Sequence, residues 1–81
     1  MSNVGEQVWR ECKFIRFVVA EPYGTKFTYN IINTRHRDCL GRVCWYPAWR
    51  QWVATFEDMT VWSADCLADV QGFLTWLKEQ P

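Results

Sequence analysis

Gly41-Arg42-Val43-Cys44-Trp45-Tyr46-Pro47-Ala48-Trp49-Arg50-Gln51-Trp52-Val53-Ala54-Thr55-Phe56 holds three of the chain's six tryptophans around a single proline. Its first half is strand-like up to Tyr46, and Pro47 stops it because proline cannot donate to a sheet ladder. From Arg50 the period of two returns: Trp52, Ala54 and Phe56 share one face, and Gln51, Val53 and Thr55 share the other. The stretch is therefore two strands, about 39–46 and 50–56, joined by the turn Pro47-Ala48-Trp49-Arg50.

Upstream, Lys13-Phe14-Ile15-Arg16-Phe17-Val18-Val19-Ala20 is β-branched and aromatic on both faces, which reads as a strand over 13–20. Glu21-Pro22-Tyr23-Gly24-Thr25 carries turn chemistry. Residues 26–35 alternate, with Phe27, Tyr29 and Ile31 on one side and Thr28, Asn30, Ile32 and Thr34 on the other. Arg35-His36-Arg37-Asp38 forms a polar loop. Residues 1–7 are small and polar and are expected to fray.

Downstream, Glu57-Asp58-Met59-Thr60 is an acidic turn. Ser63 is placed to cap a helix, and Asp65 sits where the dipole favours an acid. Cys66, Leu67, Val70, Phe73, Leu74 and Leu77 recur at spacings of three and four, the apolar stripe of a helix over about 64–79. Gly72 inside it costs about 1 kcal/mol against alanine, so packing must absorb it or something must approach the backbone closely. Strands followed by one helix give an α+β class. The expected architecture is one domain, 1–81, with a four-stranded antiparallel meander covered on one face by a C-terminal α-helix.

The chain has 81 residues, 49% of them apolar and 17% aromatic, which suits a small core. Net charge is zero, yet the charges segregate. Residues 22–56 carry Lys26, Arg35, Arg37, Arg42 and Arg50 against Asp38 alone. Residues 57–81 carry Glu57, Asp58, Asp65, Asp69 and Glu79 against Lys78. A charged leader and a membrane-length apolar run are both missing, so the expectation is a cytoplasmic protein without membrane contact, its four cysteines reduced.

Metal and catalytic readings are weak. Cys39 and Cys44 near His36 form a loose pair, but Cys12 and Cys66 supply no second pair at knuckle spacing, so small buried hydrophobes are the better reading. His36 is the only histidine and has no orienting partner in sequence. Asp65 and Asp69, one helical turn apart, fit a solvated face. The expectation is no metal, no cofactor and no enzymatic activity.

Recognition is the stronger signal. Six tryptophans exceed what one small core takes up easily, because each buried indole needs a partner for its N–H. Trp49 at the turn, with Trp62 or Trp9, is expected to be exposed, and Trp45 and Trp52 are expected in the core. Exposed Trp, Tyr and Arg are hot-spot types. The candidate binding residues are Trp49, Arg50, Tyr46, Arg42, Arg35 and Arg37. A protein partner or a second copy of the chain comes first. A cyclic nucleotide second messenger or a single-stranded nucleic acid is the alternative, since aromatics with arginines also stack bases. The acidic helix counts against a long polyanion.

Leu40-Gly41, Trp45-Tyr46-Pro47-Ala48-Trp49-Arg50-Gln51-Trp52, Phe56, Val61-Trp62-Ser63-Ala64-Asp65-Cys66-Leu67, Asp69-Val70 and Phe73-Leu74 together resemble a group of small uncharacterised bacteriophage and prophage proteins. The resemblance covers about residues 14–77. It departs at Met59-Thr60, where Pro or Gly would be expected in the turn. No residue inherits a role from it. It implies a phage-encoded protein in the host cytoplasm that binds and inhibits a host defence complex, by analogy with the class.

Overall fold

The computed structural model describes residues 6–10, 12–23 and 26–80, with the backbone alone at 22, 23, 26 and 27. The elements are β1 (Gln7–Val8), β2 (Ile15–Tyr23), β3 (Lys26–Asn33), β4 (Cys39–Tyr46), β5 (Gln51–Phe56) and α1 (Ala64–Glu79). The strands form one antiparallel sheet in the order β1-β2-β3-β4-β5, so the class is α+β with a meander of five strands rather than four. The extra strand is β1, in a segment expected to fray: Gln7 pairs with Val18, Val8 pairs with Phe17, and Glu6 C=O accepts from Val19 N–H at 2.8 Å. The rest of the expected fraying, at 1–5, lies outside the described residues, as does the Gly24-Thr25 part of the expected turn.

Pairing register fixes the two faces. Phe17 lies opposite Ile31, Ile31 opposite Gly41 and Gly41 opposite Phe56. Val19, Tyr29, Val43 and Ala54 form the next row. This face packs against α1, and Phe17, Ile15, Ile31, Val43, Val70, Phe73 and Leu77 make the buried core. Phe17 and Phe73 stack at 4.1 Å, joining sheet to helix at the centre. The helix stripe is centred on Cys66, Val70, Phe73 and Leu77. Leu67, expected within the stripe, lies about 100° to one side of Cys66 and is 44% exposed.

Local chemistry sets the ends. Ser63 Oγ accepts from Cys66 N–H at 3.1 Å, starting α1 as expected. β2 runs on through Glu21 and Pro22, residues expected in a turn, and its pairing shifts register between Ala20 and Tyr23. β3 stops at Asn33, short of the expected end. The Asn33 carboxamide oxygen accepts from Arg35 N–H at 2.8 Å and His36 N–H at 2.9 Å, pulling the chain into a turn. A register shift between Ile31 and Ile32 leaves Leu40 unpaired against β3 and packed toward the core beside Gly41.

Candidate binding surface

The face of the sheet away from α1 is open among the described residues except at Ala20 and Thr28, which are buried. Its rows are Arg16–Ile32–Cys39, Val18–Asn30–Arg42–Thr55, Ala20–Thr28, Cys44–Val53 and Tyr46–Gln51. None of these positions holds Asp or Glu. Val18, Ile32, Cys44 and Val53 are partly exposed apolar groups, with the exposed Arg42 lying between Ile32 and the Cys44–Val53 pair and the exposed Arg16 opposite Ile32. Arg42 Nε donates to Asn30 Oδ1 at 3.4 Å, and Thr55 Oγ1 donates to Arg42 C=O at 3.5 Å, so the Arg42 position is held from both neighbouring strands.

At one end of this face stands the β4–β5 hairpin. Trp49 N–H donates to Tyr46 C=O and Arg50 N–H to Pro47 C=O, each at 3.2 Å. Arg50 has φ 52°, so it belongs to the turn and not, as its sequence position suggests, to the strand. A four-residue hairpin loop closed this way ends on a left-handed residue, a place that favours glycine. The Tyr46 and Trp49 rings meet edge to face at 4.9 Å and 73°, forming one aromatic corner. Tyr46 is 42% and Trp49 65% exposed.

The structure divides the expected site. Tyr46, Trp49 and Arg50 share the hairpin, and Arg42 lies on the same face, four residues back along β4. Arg35 and Arg37 lie in the β3–β4 turn at the other end of β4. Seven strand steps of about 3.4 Å put roughly 24 Å between the two turns. Arg37 also adopts a left-handed φ of 63°. The six residues are therefore not one pocket but the two ends and middle of one face.

The other tryptophans are tied into packing. Trp9 touches Phe17 and Phe73, Trp45 meets Trp52 at 5.8 Å, Trp76 stacks on Phe73, and Trp62 lies 4.3 Å from Phe56. Trp62 Nε1 donates to Thr60 Oγ1 at 2.8 Å, giving that indole its partner inside the 60–62 segment. Trp9 and Trp62, expected as candidates for exposure, are thus only partly exposed, and so are Trp45 and Trp52, expected in the core.

The charge halves separate in space. Asp65, Asp69 and Glu79 ride on α1, behind the sheet, and the arginines Arg16 and Arg42 lie in front. A layer spacing of about 10 Å is close to one Debye length at physiological salt, so the helix acids are substantially screened from a ligand on the open face. The acidic helix is a weaker objection to an anionic ligand than its place in the sequence suggests.

Sequence reading missed a second exposed cluster. Met59 is 98% and Val61 92% exposed in the connection that leads from β5 into α1, with Phe56 at the end of β5 and Leu67 in the first turns of α1 also exposed. Met59 holds φ 66°, a left-handed position that normally takes glycine. Its only trace in sequence is a methionine in a turn where Pro or Gly is usual.

The cysteines are all free. Cys39 and Cys44 are five strand steps apart, about 17 Å, too far to share an ion. Among the described residues no three His, Cys, Asp or Glu side chains group to hold a metal, and no helix is long and apolar enough to cross a membrane. Burial, with the negative charge of Asp69 next, pushes the Cys12 thiol up, and burial does the same to the Tyr29 phenol. A shallow, open depression lined by Gln71, Gly72, Thr75 and Trp76 marks the helix's outer side and gathers no convergent polar set.

No family model, no curated protein and no solved structure matches the chain.

Proposed function

We propose that this is a non-enzymatic binding protein that engages a protein partner through the open face of its sheet. The observation that carries the reading is that face itself. Partly exposed Val18, Ile32, Cys44 and Val53 surround the central Asn30–Arg42 pair, and the face ends in the exposed Tyr46–Trp49 corner. Apolar groups around a central arginine, with an aromatic anchor at one end, are the residue types that protein interfaces favour. The resemblance to phage proteins suggests that the partner is a host defence complex, inhibited by being bound in the host cytoplasm.

A second reading has its own support. The lack of acids in the open-face rows and the screening distance to α1 leave Arg42 and the aromatic corner suited to a small phosphate-bearing ligand such as a cyclic nucleotide.

Affinity purification from bacterial lysate separates them. Wild type should retain a stoichiometric partner, Arg42→Glu should lose it, and Asp65→Arg, on the far side, should keep it. Retention unchanged by Arg42→Glu, or nothing retained, contradicts the protein reading. Quenching of tryptophan fluorescence by cyclic dinucleotides, abolished by Arg42→Ala, would put the second reading first.

A further inference from the structure

The sheet has two edges, and they are built differently. The β2 side is covered in part by β1, and beyond it carries Pro22, which has no N–H, and a register shift. Those are the usual defences of an edge against pairing with another chain. The β5 side has none. Gln51-Trp52-Val53-Ala54-Thr55-Phe56 contains no charge and no proline, and it pairs with β4 from Gly41↔Phe56 to Tyr46↔Gln51 without a register shift.

Which groups face outward follows from one bond. Glu57 N–H donates to Leu40 C=O at 2.9 Å. Antiparallel ladders alternate, so Thr55, Val53 and Gln51 likewise turn their N–H and C=O toward β4. Trp52, Ala54 and Phe56 turn theirs to the outer edge, where no strand pairs with them among the described residues.

We infer that the chain forms a two-fold symmetric homodimer by antiparallel pairing of β5 with β5 of a second copy. Only a few registers satisfy the outward groups. One of them places Ala54 opposite Ala54 on the axis and Trp52 opposite the partner's Phe56. It also brings Arg50, in the turn before β5, to the same end of the seam as the partner's Asp58 in the turn after it, twice by symmetry. The strand is neutral between a cation at one end and an anion at the other, which makes it complementary to its own reverse. Alanine on the axis admits close approach of the two backbones. Isologous pairing consumes both free β5 edges, so assembly closes at two copies.

The product is one ten-stranded sheet with its open face still uncovered. The inference is independent of the partner reading. A monomer that still retains a partner overturns the dimer alone, and a dimer that retains nothing overturns the partner alone.

Sedimentation equilibrium of the full chain over a concentration series tests it, with circular dichroism as the check on folding. Wild type should reach twice the 9.7 kDa chain mass. Arg50→Glu and Asp58→Arg should each weaken dimerisation roughly tenfold, because each breaks two symmetric pairs, and the double swap should restore it. Ala54→Pro removes only an outward N–H and should leave a folded monomer. If that variant misfolds, the charge swap decides. A mass of 9.7 kDa at every concentration, species larger than two copies, or a dimer indifferent to the charge variants would overturn the inference.

Discussion

The indole of Trp9 lies against the backbone of Gly72: a Cβ built on that glycine would come within 2.9 Å of Trp9 Cη2. Mid-helix glycine is thus explained by close approach. Trp9 sits just past β1 with φ 69°, packs on Phe17 and Phe73, and carries Arg10 over its ring at 4.5 Å. Arg10 also reaches Asp69 on α1 at 3.4 Å. The N-terminal segment is therefore clasped to the helix, and the intrinsic weakness of glycine is exchanged for contact with a large aromatic.

Gly72→Ala sets two effects against each other. Alanine gains about 1 kcal/mol of helix propensity, whereas displacing a wedged indole costs typically 1–3 kcal/mol. The expected result is a net loss of about 1 kcal/mol in urea unfolding. In a Trp9→Leu background, where the wedge is gone, the same change should stabilise. A gain in the wild-type background would show that the indole is not held there.

Gly41→Ala should be far worse. The added Cβ would run into the Thr55 carbonyl oxygen across the β4–β5 ladder, and Phe56 crowds it as well. Backbone cannot swing aside as a side chain can, so losses above about 3 kcal/mol and poor soluble yield are expected. A protein of unchanged melting temperature would contradict the close β4–β5 register.

Arg50 and Met59 hold left-handed backbone on ordinary side chains. Replacing either with glycine relieves about 1 kcal/mol of strain, so Arg50→Gly and Met59→Gly should raise the melting temperature by several degrees. Scanning calorimetry measures it. Stabilisation accompanied by lost binding or lost dimerisation would show that the side chains are kept for contact; a drop in stability would contradict the turn geometry.

Alkaline pH should weaken the fold in a defined order. Cys12 and Tyr29 hold their protons longer when folded, because burial raises both above their ordinary 9.0 and 10.0. The unfolded chain releases those protons first. Stability is therefore full below 9.0 and falls as pH rises through the folded values, Cys12 contributing first and Tyr29 after it. Urea midpoints across this range should fall less in Cys12→Ala. An equal fall in the two proteins would remove Cys12 as a contributor.

Much of this fold was legible because its strands and helix follow their periods. Trp52, Ala54 and Phe56 alternate with Gln51, Val53 and Thr55, and the 66-70-73-77 stripe faces the core. Ser63 announced the helix start. β1 was not legible: two residues are too few to show alternation, and Gln7 and Val8 become a strand only by pairing with Val18 and Phe17. The bulge at Leu40 breaks parity through a pairing that no local pattern reveals. For the candidate site, Trp49 was legible as a turn residue and Tyr46 as the end of its strand, but not the edge-to-face contact between them. Arg35 and Arg37 looked close in sequence, yet β4 runs straight between the two turns and holds them apart. Met59 and Val61 were missed because apolar residues in a short connection read as filler for a core they never enter.

We propose that recognition uses the face of the sheet away from α1. The most direct test is a nitrogen–proton correlation spectrum of labelled protein, recorded with and without the partner retained from lysate. Trp49 indole and the amides of Arg42, Cys44 and Val53 should shift or broaden first, while the Trp9 and Trp76 indoles on the helix side stay in place. Shifts that begin at Trp9, Trp76 and the exposed side of α1, with Arg42 and Trp49 unmoved, would contradict it.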